Sequence, residues 1–328
     1  MAQQIGFLIG SPQRQVMEAV RAAHPGLDMV AAEDMAALRP ALPDLTALVV
    51  NTPLYSAEVA ALLKAEAPGL RWMQTLSSGV DKILDLGRPE GVRLTSAVGC
   101  HGASVADHAL ALLLALFRRV PEMALAQARQ DWITGPGRRG LREIGECRAV
   151  MLGYGHIGQA ITRRLRAFGA EVTAISRSGR GPVGGDAGAA DQLLQVSALH
   201  DGFRGADILM ICLPGEASER PLVDGAALDL LAPGAVVVNV GRGNSLDATA
   251  LAERLRGGHL SGAALDVFAR EPLPADDPLW SVPGLLVSPH LAGNGDGVPA
   301  RLTELLSDNI GRFLAGEPLR NEVLRPAS

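Results

Sequence analysis

Several short stretches of this chain hold residue types whose spacing can do chemistry. Gly153-Tyr154-Gly155-His156-Ile157-Gly158 fits a GxGxxG turn. In such a turn the first glycine allows a tight strand-to-helix bend, the second lets backbone approach a pyrophosphate, and the third lets the helix pack on the sheet. The unpaired N–H groups and partial positive charge of the helix start then favour phosphate. The next apolar run, "EVTAIS" (171–176), ends in Ser176, followed by Arg177, Ser178 and Arg180. A carboxylate at that strand end would accept hydrogen bonds from the ribose 2′-hydroxyl of NAD and repel a 2′-phosphate. Ser176 removes the repulsion and adds a donor, while Arg177 and Arg180 can make charge-assisted bonds to the phosphate. The pattern predicts a dinucleotide site preferring NADP(H), with NAD(H) possible.

Three further segments place polar groups at strand ends. "VVVNVGRGNSLD" puts Asn239 at a strand end and Arg242 in the next loop; "AALDVFAREPLP" does so with Asp266 and Glu271; "LLVSPHLAG" sets His290 directly after a strand. The carboxyl ends of parallel strands are the edge at which open α/β sheets bind ligands.

The elements that must position these groups are legible as alternating apolar runs and helical patterns, the signature of βα units on a parallel sheet. "IGFLIG" (5–10), "ALVVN" (47–51), "LRWMQT" (70–75) and "VRLTS" (92–96) read as strands. Helices at 12–23 and 56–65 lie between them, the latter with Ser56 as its N-cap. A long helix over 104–129, apolar on most faces, is expected to be largely buried. A second series of strands follows at 148–153, 171–176, 207–213, 235–240, 262–267 and 285–289, and a helix at 299–315 closes the chain. Two other glycine matches, at 135–140 and 179–184, contain proline and neither follow a strand nor open a helix, so they read as loops.

Composition narrows the class. At 328 residues, 48% hydrophobic and 20% charged, the chain can build two domains with substantial cores. A net charge of −5 argues against nucleic-acid binding, which needs a concentrated basic surface. Cys100, Cys147 and Cys212 are far apart and odd in number, and the seven histidines show no ligand spacing, so neither a disulfide framework nor a metal site is expected. "ALALLLALF" (109–117) is half the length of a membrane span, and the N-terminal residues form no basic leader, so a cytoplasmic protein without membrane attachment is expected. His101, His108 and His156 have no context that points to proton transfer and are expected to be structural.

Taken in order, "SSGVDKILDL" (77–86), "GASVADHALALLLALFRR" (102–119), "GYGHIGQAITRRLRAFGAEV" (153–172), "LAPGAVVVNVGRG" (231–243), "DVFAREPL" (266–273) and "SPHLAG" (288–293) resemble the signature blocks of the D-isomer-specific 2-hydroxyacid dehydrogenase family. The resemblance covers nearly the whole chain. It implies two Rossmann-like/flavodoxin-like α/β domains with parallel sheets. The dinucleotide-binding domain (99–292) is inserted into a substrate domain (1–98 plus 293–328), with the active site in an interdomain cleft that closes on cofactor.

The resemblance also implies a catalytic set of Arg242, Glu271 and His290. Arg242 would hold the carboxylate of a 2-oxoacid and polarise its carbonyl. His290 would donate the proton to the carbonyl oxygen, oriented by Glu271. Backbone N–H groups of Ser78, Gly79 and Val80 are implied to bind the substrate carboxylate, Asp266 the nicotinamide carboxamide, and Leu213-Pro214 a wall of the cofactor cleft. A homodimer formed through the 104–129 region is implied as well.

The expected function is NADPH-dependent reduction of glyoxylate or hydroxypyruvate to the D-2-hydroxyacid, the configuration following from the resemblance alone. Alternatives are NAD-dependent oxidation of phosphoglycerate, formate or phosphite, and a dinucleotide sensor without turnover. No long regulatory segment follows residue 328, which weighs against the phosphoglycerate branch. A sensor has no need of the Arg242, Glu271 and His290 set. Two departures stand out: "LREIGECRAV" lacks the Gly-Lys often found before the first cofactor-domain strand, and "LAGNGDGVPAR" replaces the usual Ala-Gly-x-Thr continuation after the histidine.

Overall fold

A computed structural model of the chain describes residues 3–134, 140–180, 190–215 and 220–323. The two discounted glycine matches lie largely outside these residues. The chain divides into two compact units, Met1–His101 with Gly295–Ser328, and Gly102–Asn294.

The first unit holds β1 (Gln4–Leu8), β2 (Asp28–Ala32), β3 (Leu45–Val50), β4 (Trp72–Thr75) and β5 (Arg93–Thr95), with α1 (Arg14–Ala23), α2 (Met35–Leu38), α3 (Ala57–Glu66), α4 (Asp81–Leu86) and a C-terminal helix, Val298–Ala315. Its strands are all parallel in the order β2-β1-β3-β4-β5. β3 is buried along its whole length because both faces are covered. Ala47 and Val49 face α1 and the C-terminal helix through Val16, Val20 and Leu306, while Leu48 and Val50 face Val59, Leu63 and Ile83. Ser56 caps α3 as its residue type dictates, its hydroxyl accepting from Val59 N at 3.2 Å.

The second unit opens with α5 (Gly102–Phe117) and α6 (Val120–Ala128). It continues through β6 (Arg148–Leu152), α7 (His156–Ala167), β7 (Glu171–Ser176), β8 (Gln192–Gln195), α8 (Leu199–Phe203), β9 (Ile208–Ile211), α9 (Gly225–Leu228), β10 (Ala235–Asn239), α10 (Ala248–Arg256), β11 (Leu260–Leu265) and β12 (Leu285–Val287). Its sheet is parallel, in the order β12-β11-β10-β9-β6-β7-β8. α5 and α7 cover one face around Leu113, Ile161 and Val238; α8 to α10 cover the other around Phe203, Leu228 and Leu251.

Two expectations are corrected here. The 104–129 segment is two helices, not one. Pro121 has no N–H for the Phe117 carbonyl, which instead accepts from Arg142 N at 3.1 Å, and Arg119 turns the chain at φ 54°. Nor is its second half buried: Val120, Met123 and Leu125 are 47–59% exposed. β2 and β8, absent from the sequence reading, are the outermost strands on one side of each sheet. Each leaves exposed positions, and their apolar runs are short: four residues in β2, two of them alanine, and two in β8.

Candidate functional site

Each candidate in the second unit sits at or after the carboxyl end of a strand. Across the sheet, His290 follows β12, Asp266 and Glu271 follow β11, Arg242 follows β10, Leu213-Pro214 follow β9, the glycine turn follows β6, and Ser176 ends β7. From β12 to β7 is five strand spacings, roughly 24 Å at about 4.8 Å each. Between β6 and β9 the strand order reverses direction, the switch point at which such sheets open a crevice.

The glycine turn has the shape that a pyrophosphate requires. Gly153 has φ 98°, and a Cβ there would lie 2.3 Å from the Cys212 carbonyl oxygen; one on Gly158 would lie 2.0 Å from the oxygen of Gly153. Both positions exclude any side chain. Gly155 faces open space, and no side chain caps α7, leaving its first turn available to an anion. His156 is exposed and Ile157 half-buried. These residues fit a dinucleotide phosphate.

The turn after β7 is closed by its own side chain. The Ser176 hydroxyl donates to the Arg180 carbonyl (2.8 Å) and accepts from Arg180 N (3.1 Å). The donor expected to face a phosphate is therefore engaged within the turn, whereas Arg177, Ser178 and Arg180 are exposed. No acidic residue stands at this strand end.

At the other end of the edge the loops are held by buried polar groups. Asp266, 1% exposed, accepts through Oδ1 from the Ser288 hydroxyl (2.5 Å) and Leu291 N (2.8 Å), and through Oδ2 from Ala292 N (3.0 Å). His290 N donates to the Asp266 carbonyl at 2.9 Å. These bonds hold His290 at φ 55°, a left-handed conformation that a non-glycine residue keeps only when its surroundings impose it. Its Nδ1 lies 2.6 Å from Glu271 Oε2, and the other Glu271 oxygen accepts from Phe268 N at 2.8 Å. The carboxylate is thus fixed from one side and fixes the imidazole from the other, leaving Nε2 available for proton transfer. Asn239, also 1% exposed, clamps the neighbouring loop: Oδ1 accepts from Gly241 N and Nδ2 donates to the Arg242 carbonyl, both at 3.0 Å.

Beneath these loops, burial pushes the Cys212 thiol up to about 12, with the Arg242 charge pulling weakly the other way. A cavity of about 290 Å³ behind the Arg242 and Glu271 loops has apolar walls including Leu246, Val267 and Leu279, and none of the three proposed catalytic residues lines it.

Ser78, Gly79 and Val80 belong to the first unit, in the loop between β4 and α4. The carbonyls of Ser77, Gly79 and Val80 accept from Ala97 N, Ser77 Oγ and Ile83 N. The three N–H groups of Ser78, Gly79 and Val80 find no acceptor among the described residues. Consecutive N–H groups left this way suit a carboxylate.

Two residues given no role in the sequence analysis, His108 and Ser288, meet Asp266 in the structure. His108 on α5 places Nε2 2.9 Å from Ser288 Oγ and 3.4 Å from Asp266 Oδ1. The one signal available was a polar Asp107-His108 pair interrupting an apolar helix. Among the described residues, no three His, Cys, Asp or Glu side chains gather as a metal site would require, and no helix is long and apolar enough to cross a membrane.

Comparison with known proteins adds a family. The model of the D-isomer specific 2-hydroxyacid dehydrogenase NAD binding domain matches residues 110–292. D-3-phosphoglycerate dehydrogenase of Mycobacterium tuberculosis is 33% identical over 278 residues, 84% of this chain and 51% of that protein. The chain spans about half the length of the mycobacterial relatives it matches. Glyoxylate/hydroxypyruvate reductase A of Arabidopsis thaliana is 30% identical over 271 residues, 82% of this chain and 83% of its own. Among solved structures, a D-isomer specific 2-hydroxyacid dehydrogenase family protein from Aeromonas salmonicida superposes with TM-score 0.86 at 30% identity, over 99% of each chain. A D-isomer specific 2-hydroxyacid dehydrogenase from Xanthobacter autotrophicus Py2, in complex with NADPH and MES, superposes with TM-score 0.81 at 28% identity, over 99% of this chain and 98% of its own.

Proposed function

Because the chain belongs to the D-isomer specific 2-hydroxyacid dehydrogenase family, we propose that it reduces a small 2-oxoacid, of the glyoxylate or hydroxypyruvate type, to the D-2-hydroxyacid with NADPH. The observation that carries this reading is the Glu271–His290 pair, 2.6 Å apart at the carboxyl edge of the sheet. A residue set that held a dinucleotide without turning it over would have no use for an imidazole so oriented.

In the proposed mechanism the glycine turn at 153–158 would hold the pyrophosphate, Leu213 and Pro214 would form a wall of the cofactor cleft, and Asp266 would receive the nicotinamide carboxamide. The reduced nicotinamide, when bound, supplies a hydride to C2. Arg242 would hold the substrate carboxylate and polarise the carbonyl. His290 gives its Nε2 proton to the carbonyl oxygen as charge develops there, while Glu271 keeps the ring aligned and balances the cation. In the reverse direction His290 takes the hydroxyl proton.

Preference for NADPH rests on the missing acid at the end of β7 and on exposed Arg177 and Arg180 beside it. NADPH in the Xanthobacter protein supports the same choice. Exposed Val120, Met123 and Leu125 on α6 support a homodimer formed through that helix.

Oxidation of NADPH and NADH, followed side by side with glyoxylate and hydroxypyruvate, tests the proposal. Turnover favouring NADPH is expected. Turnover favouring NADH would keep the reductase and reject the phosphate reading; no turnover with either oxoacid would reject the substrate class. The match to phosphoglycerate dehydrogenases favours a second reading, tested by reduction of NAD with 3-phosphoglycerate.

A further inference from the structure

Ser288 lies between two groups that compete for its single hydroxyl hydrogen. On one side is Asp266 Oδ1 at 2.5 Å, on the other His108 Nε2 at 2.9 Å. Two backbone N–H groups, of Leu291 and Ala292, already converge on the Asp266 carboxylate, one on each oxygen. A carboxylate so surrounded only accepts, so the Ser288 hydrogen points to Asp266. The Ser288 oxygen can then only receive from His108, which requires the proton on Nε2. The chain runs one way: His108 Nε2–H to Ser288 O–H to Asp266 Oδ1.

This direction leaves Asp266 unequal oxygens. Among the described residues Oδ1 takes two donors, with His108 Nε2 also 3.4 Å from it, and Oδ2 takes Ala292 N alone. The vacant acceptor position is on Oδ2. A carboxamide can present either its N–H or its C=O, and a vacant carboxylate lone pair admits only the N–H. We infer that His108 and Ser288 are positioning residues that hold Asp266 as a one-way acceptor and thereby select the orientation in which the nicotinamide carboxamide binds. The inference rests on the proposed role of Asp266 toward that group.

The test uses cofactor binding, not turnover. Dissociation constants are measured by fluorescence for NADPH and for the reduced 3-acetylpyridine analogue, whose acetyl group has no N–H to offer. Parent protein should bind NADPH about tenfold more tightly than the analogue, the worth of one hydrogen bond to a charged acceptor. His108→Phe and Ser288→Ala should erase most of that difference, weakening NADPH roughly five- to tenfold and the analogue less than about twofold. His108→Gln, which keeps an N–H near the Nε2 position, and Ser288→Thr, which keeps the hydroxyl, should restore it, and they guard against a folding defect.

An equal loss for both cofactors in the Phe and Ala variants would overturn the inference, since packing alone explains it. Equal binding of the two cofactors by the parent protein would reject the role of Asp266 itself, and the inference with it.

Discussion

The loops after β11 and β12 and the turn after β7 occupy one edge of one sheet, yet they are held by opposite means. Asp266, Asn239 and Ser288 are nearly inaccessible; Asp266 and Asn239 tie the loops of His290 and Arg242 through bonds to backbone, and Ser288 bonds to the Asp266 carboxylate. The β7 turn is closed by Ser176 bonding four residues ahead, with its arginines on the surface. Groups that move protons need placement within fractions of an ångström, which a buried network imposes. Choosing between a hydroxyl and a phosphate needs only the right charge within reach, which an exposed turn supplies.

Substitutions should separate the two regions, and the largest effect is expected at the clamped end. His290→Gln should lower kcat by about 10³-fold, within the usual range for a lost general acid, with NADPH affinity nearly unchanged. A kcat within threefold of the parent would remove His290 from the chemistry. Asp266→Ala strands the Ser288 hydroxyl and two backbone N–H groups at about 1–3 kcal/mol each, so a fall in Tm of several degrees is expected along with the loss of activity. An unchanged Tm would mean the loop does not depend on that clamp.

At the exposed end, Arg177→Ala should raise KM for NADPH about tenfold, from one charged contact of about 1.5–3 kcal/mol. KM for NADH and Tm should stay where they were. A matching change for NADH would show that Arg177 serves the turn and not the phosphate.

The smallest effect concerns pH. Burial raises the folded-state Cys212 thiol to about 12, so above the ordinary thiol range, about 8.5, the unfolded chain releases a proton that the folded chain keeps. Stability therefore falls as pH rises through that window, and Cys212→Ala should flatten part of the slope in denaturant titrations. An unaltered slope would mean that Cys212 is open to solvent.

The glycine turn, the polar groups at strand ends and the central strands were legible in sequence because each depends on residues close together in the chain. Gly153 and Gly158 are dictated by close approaches that admit no side chain, and central strands buried on both faces read as unbroken apolar runs. Edge strands β2 and β8 were not legible because their apolar runs are short and, in β2, half alanine, a weak strand former. The break at Pro121 was present in the residues, but the acceptor it frees is taken by Arg142, beyond the segment read as helix.

Asn239, Asp266, Glu271 and His290 could be located at the ends of their strands from sequence alone, together with the absence of an acid at Ser176. Which way those side chains point, and what holds them, depended on tertiary structure. His108 and Ser288 are 180 residues apart and meet only because α5 packs against the sheet that ends in the His290 loop. A local pattern specifies which residue stands at an edge, since backbone geometry repeats every few residues. The partner that completes a buried polar group can come from anywhere in the chain, and only the packed core decides which one arrives.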